Sequence, residues 1–147
     1  MSKPARGFTL LEVLIVLILI AAALGFSAVF FAGTLPKAKF SAAARDLVTS
    51  VRWARALASI EQETKVVSLD LDRKSYTVPG RGPRSIPPEA GVKVVDAQRG
   101  EIHSGSYSVT AHPSGLVEGG TIVLTRATRT ITIRMDPVRG AIMESER

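Results

Sequence analysis

From Val13 to Ala32 the chain runs for twenty consecutive residues without a charge, VLIVLILIAAALGFSAVFFA, and Ser27 is the only clearly polar one. As a helix rising 1.5 Å per residue, such a run covers about 30 Å, the thickness of a bilayer's hydrocarbon core. A chain of 147 residues forms a core too modest to surround a helix that is apolar on every face. The expectation is therefore a membrane span. Lys3 and Arg6 precede it with no acidic residue among the first seven, so the positive-inside rule leaves the amino end in the cytoplasm and everything after Ala32 outside. A secretory signal would have a shorter apolar region ending in a small-residue cleavage site, whereas here the run continues for nine residues beyond Ala23.

Composition narrows the chemistry. The chain has no cysteine, which removes disulfides, thiolate metal sites and cysteine nucleophiles together. Only two histidines, His103 and His112, remain as bases or soft ligands near neutral pH, and no further histidine completes a cluster. Neither an enzymatic activity nor a cofactor is expected. The net charge of +6 is moderate, below what a dedicated nucleic-acid arm carries, so a nucleic-acid partner is not expected either.

Beyond Pro36, Phe40, Ala44, Leu47, Val51, Ala54 and Ala58 alternate in steps of four and three, making one apolar stripe on a helix to about Glu63 that should face a sheet. Gly33 to Pro36 are placed to kink or loosen the helix. Another face carries Arg45, Arg52 and Arg55 with Trp53 nearby; it suits phosphate contact, but so few clustered charges favour a solvated or neighbour-contacting surface. From Lys65 the period changes to alternation. Strands are predicted at 67–71, 75–78, 92–96, 107–111, 122–125, 131–133 and 141–143, with a hairpin turn between Thr125 and Thr130. Segments 79–88 and 112–120, rich in Gly and Pro, are predicted as loops. The fold class is α+β, a long amino-terminal helix packed on antiparallel sheet.

Glu12 stands at the cytoplasmic border of the apolar run. A carboxylate inside lipid costs on the order of 2.5 to 3.5 kcal/mol at the centre and less near an interface, so it demands either water or a named partner. The stretch Gly7-Phe8-Thr9-Leu10-Leu11-Glu12, after a short basic leader and before an apolar helix, resembles the prepilin signals of the type IV pilin class. That resemblance implies cleavage between Gly7 and Phe8 by a membrane prepilin peptidase, and N-methylation of Phe8 by the same enzyme. It also implies a role in assembly for Glu12, which would neutralise the new amino terminus of a neighbouring subunit.

The segment Val51 to Ala58 resembles a stretch in the GspH/FimT group of minor pseudopilins and pilins. The His112-Pro113-Ser114-Gly115 to Gly119-Gly120 loop and the Asp136-Pro137-x-Arg139-Gly140 turn resemble the same group. The organisation implied is a cleaved leader over 1–7, a transmembrane and assembly helix over 8–36, and a periplasmic pilin-like domain over 37–147. The function implied is that of a minor pseudopilin of the type II secretion pseudopilus in the inner membrane. Its partners would be the prepilin peptidase, other pseudopilins and the inner-membrane assembly platform. The alternative is a FimT-like minor pilin of a type IV pilus, active in pilus assembly or DNA uptake. Asp70 and Asp72 share a strand face and would suit a cation or an acid pair, but the solvent side of an alternating strand is the reading taken. His112 is read as a loop residue.

Overall fold

The structure is a computed structural model that describes the backbone of residues 8–136 and 140–146, with side chains for 8–25, 36–136 and 141. Among the described residues one helix, α1 (Leu10–Glu61), is followed by ten strands. These are β1 (Lys65–Asp70), β2 (Ser75–Val78), β3 (Arg81–Ser85), β4 (Gly91–Asp96), β5 (Gly100–Ile102), β6 (Ser106–Ala111), β7 (Val117–Glu118), β8 (Thr121–Arg126), β9 (Arg129–Asp136) and β10 (Gly140–Glu146). The result is α+β with an amino-terminal helix packed on antiparallel sheets, consistent with a pilin-like fold.

The chain divides into two compact units, 1–38 and 39–147. In the first unit the described apolar side chains are uncovered: Leu10 is 93% exposed and Leu24 66%. Among the described residues no helix is long and apolar enough to cross a membrane. The described side chains of this apolar stretch end at Gly25, and 16 helical residues from Leu10 reach only about 24 Å. The remainder of the expected span, 26–32, has side chains outside the described residues. The expected break at Gly33 to Pro36 is not seen in the backbone. Helix α1 continues through Pro36 even though proline offers no amide to the preceding turn.

In the second unit the stripe behaves as its spacing requires. Phe40, Ala44, Leu47, Val51, Ala54 and Ala58 are all buried. They join one core with Val67, Leu69, Tyr76, Val78 and Val109 of the first sheet and Val94, Ile122, Leu124, Ile131 and Ile133 of the second. Strand order is β3-β2-β1-β6-β7 in the first sheet and β10-β9-β8-β4-β5 in the second, and every pairing is antiparallel. In β1, β2, β6, β8 and β9 the inward positions are Val, Leu, Ile, Ala, Tyr and Met at every second residue, which fixes their register because a slip by one would turn the apolar set outward.

Helix α1 stops at Glu61, two residues before the predicted end, because Gln62 takes a left-handed conformation with φ 55°. Three strands fall in segments expected to be loop or left unassigned. Strand β3 holds Pro83 and lies at an edge with an irregular register opposite Tyr76 and Val78, where a proline within a strand is tolerated. Strands β5 and β7 have three and two residues, too short for alternation to show. Asp72 does not share a strand with Asp70: β1 ends at Asp70, and 71–74 form a turn.

Candidate functional site

The amino-terminal turn of α1 is built by Thr9. Its hydroxyl accepts the Glu12 amide at 3.3 Å, and its carbonyl accepts the amides of Glu12 at 3.1 Å and Val13 at 3.2 Å. Thr9 therefore serves as the cap for amides that the helix itself cannot satisfy, and Glu12 holds the third helical position. Thr9-x-x-Glu12 is the sequence signature of a capping box. The Thr9-to-Glu12 spacing makes this role of Thr9 legible in the sequence, although apolarity dominates the segment. A carboxylate in the first turn also faces the positive end of the helix dipole.

Phe8, Glu12, Val13, Val16 and Leu17 line an open concavity of about 300 Å³. Among the described residues Glu12 is its only charged wall, and Phe8 is 81% exposed. The arrangement offers a negative oxygen pair flanked by hydrocarbon, which suits a cation carried on an apolar body. Gly7 and the leader before it lie outside the described residues.

The other residues singled out by sequence have structural partners. Asp70 accepts the Arg73 amide at 2.8 Å and closes its own turn, while Asp72 accepts the Gly105 amide at 3.0 Å and ties that turn to the one between β5 and β6. His112 Nε2 lies 3.2 Å from Glu118 and His103 Nε2 lies 3.3 Å from Glu101, at separate places in the fold. Among the described residues no cluster of three or more His, Cys, Asp or Glu could hold a metal ion. Arg52 and Arg55 are not merely solvated. Arg52 donates to the Ala141 carbonyl at 3.0 Å, and Arg55 donates to the Gly115 carbonyl at 2.7 Å. Trp53 carries the Arg81 guanidinium 4.4 Å above its ring.

Two acid–phenol pairs fasten the second unit and were not foreseen. Tyr76 on β2 and Arg84 on β3 both donate to Asp46 on α1. Burial draws the Asp46 carboxyl upward, but the Tyr76 hydroxyl and the Arg84 guanidinium together hold it below its usual range. Tyr107 on β6 donates to Asp96 at 2.6 Å and receives the Gly120 amide, tying the first sheet to β4 of the second. Burial, then Asp96, pushes the Tyr107 phenol up; the Tyr107 hydroxyl and the amides of Gln98 and Arg99 hold Asp96 down.

Residues 2–28 match a family model described as the prokaryotic N-terminal methylation motif. The chain carries a prepilin-type leader. This leader supports a place among type IV pilin-like or pseudopilin proteins, and it implies processing by a prepilin peptidase and assembly with other pilin-like subunits. The match takes in Gly7, Phe8 and Glu12 together with the first part of the apolar run. Comparison with curated proteins and with solved structures found no match.

Proposed function

We propose that this chain is a minor pseudopilin of the type II secretion pseudopilus, similar to the GspH group and without enzymatic activity of its own. The observation that carries this reading is an uncovered apolar helix headed by a prepilin-type leader, with one carboxylate in its first turn. Peptidase cleavage after Gly7 leaves Phe8 with a free amino group, cationic at neutral pH and then methylated. The helix spans the inner membrane with its start in the cytoplasm, and residues 37–147 stand in the periplasm. On entry to the pseudopilus, Glu12 of one subunit meets the Phe8 amine of the next. Unit charges 4 Å apart attract by about 4 kcal/mol at an effective dielectric of 20, enough to select one stagger among helices that would otherwise slide.

The test is mass spectrometry and assembly in the native host. Mature protein beginning at methylated Phe8 is expected; Gly7→Glu blocks leader removal, and Glu12→Ala permits removal but weakens incorporation into the filament. An intact Met1 start, or normal incorporation of Glu12→Ala, overturns the proposal. Deleting the gene is expected to stop export of folded proteins and leave surface pili intact. Loss of pili, or binding of the full chain to duplex DNA that falls steeply with salt, would instead favour a FimT-like minor pilin.

A further inference from the structure

The two sheets leave four edge strands, β3 and β7 in the first and β10 and β5 in the second. Three of them are blunted. Strand β3 contains Pro83 and a register shift opposite Tyr76 and Val78, while β5 and β7 offer only three and two residues. Strand β10 is different: seven residues, about 24 Å, in unbroken register with β9 from Gly140↔Asp136 to Glu146↔Thr130. Open edges of that length are templates for another strand, and folded proteins ordinarily obstruct them.

The side on which β10 is open follows from one contact. Arg52 reaches the Ala141 carbonyl at 3.0 Å, from a helix that is no part of the β9 ladder. Amide and carbonyl of a residue in an antiparallel strand point to the same side, and successive residues alternate. Met143 and Ser145 therefore turn their main-chain groups to the side of Ala141, away from β9, and among the described residues Arg52 closes only the first of the three positions. A second copy of β10 laid antiparallel across Met143 and Ser145 would set Glu144 opposite Glu144, and like charges directly opposed are destabilising. Residues 140–146 contain two acidic residues, Glu144 and Glu146, at alternate positions and no basic one.

We propose that β10 accepts a further strand from a partner protein, hydrogen-bonded to the outward groups of Met143 and Ser145 and carrying Lys or Arg at alternate positions opposite the acidic residues. Main-chain bonds supply the affinity, and the charge pattern selects the partner. The interaction requires neither the leader nor its processing.

The probe is a fluorescent seven-residue peptide with arginine at alternate positions, titrated by anisotropy against the full chain in detergent micelles. Binding is expected to weaken about tenfold or more in Glu144→Lys/Glu146→Lys, which should in turn bind a peptide with glutamate at those positions. Methylating the peptide's amide nitrogens in one alternate set should abolish binding and in the other set spare it. That arm leaves the protein unaltered, so it decides the matter even if the double variant folds poorly. No binding, equal tolerance of both methylated sets, or a spontaneous disulfide between a Met143→Cys chain and a Ser145→Cys chain when the two are mixed overturns the proposal.

Discussion

Arg55 on helix α1 donates from its Nε to the carbonyl oxygen of Gly115 at 2.7 Å, fastening the helix to the loop between β6 and β7 of the first sheet. Three residues earlier, Arg52 does the same to Ala141 of β10 in the second sheet. The helix is thus held by an apolar stripe on one side and by two guanidinium clamps beside it.

Replacing Arg55 by alanine strands a part-buried carbonyl and removes a charge-assisted hydrogen bond. A loss of about 1.5 to 2 kcal/mol is expected, discounted from the upper range because the arginine is half-exposed. Thermal unfolding followed by circular dichroism checks it. Arg45→Ala, at an exposed helix position, should leave the midpoint nearly unchanged.

Stability should form a plateau across about pH 5 to 9 with a limb on each side. The folded-state carboxyl of Asp46 lies below its ordinary 3.8, so its contribution is present above that value and lost as the pH falls through the lower, folded value. Burial and then Asp46 push the Tyr76 phenol above its ordinary 10.0, so that contribution is complete below pH 10 and lost as the pH rises beyond it. Asp46→Asn is expected to flatten the acid limb by about 1 kcal/mol or less, given the carboxylate's partial exposure. Tyr76→Phe should flatten the alkaline one. Denaturant midpoints measured across the pH range report both.

The β8–β9 hairpin closes at Arg126↔Arg129 with Ala127 at φ 51°. A Cβ in that region is strained, and glycine is the residue preferred at the first central position of a two-residue turn with positive φ there. Ala127→Gly is expected to stabilise by about 0.5 to 1 kcal/mol, read as a higher urea midpoint at unchanged slope.

Gly120 receives the chain as it passes from the first sheet to the second. A Cβ there would lie 2.6 Å from the Val95 carbonyl oxygen and 3.0 Å from the Tyr107 hydroxyl. Backbone cannot yield as a flexible side chain does, so Gly120→Ala should cost about 2 to 3 kcal/mol and detach Tyr107 from Asp96. The near-ultraviolet signal and unfolding free energy both report the loss.

The helix stripe and most long strands were legible because burial leaves a period: Phe40 to Ala58 repeats as a helix, and Val67 and Leu69 alternate as a strand. Strand β3 was hidden because Arg81-Gly82-Pro83-Arg84 carries turn residues that an edge strand tolerates. The clamps of Arg52 and Arg55 were illegible for another reason: a side chain that reaches a distant carbonyl leaves no trace in local spacing. The same holds for Asp46 with Tyr76, which lie 30 residues apart. At the helix start the opposite is true, since Thr9 and Glu12 form a local pattern that spells out its own hydrogen bonds.

The sheets are interleaved along the chain: β1 to β3 enter one, β4 and β5 the other, β6 and β7 return, and β8 to β10 finish the second. Neither layer can be completed until most of the polypeptide is present. Splitting the gene anywhere from residue 86 to 120 would hand each half an unfinished piece of a sheet, so fragments should recover structure only when mixed. A nascent chain must likewise wait for its closing strands before the domain can withstand proteases.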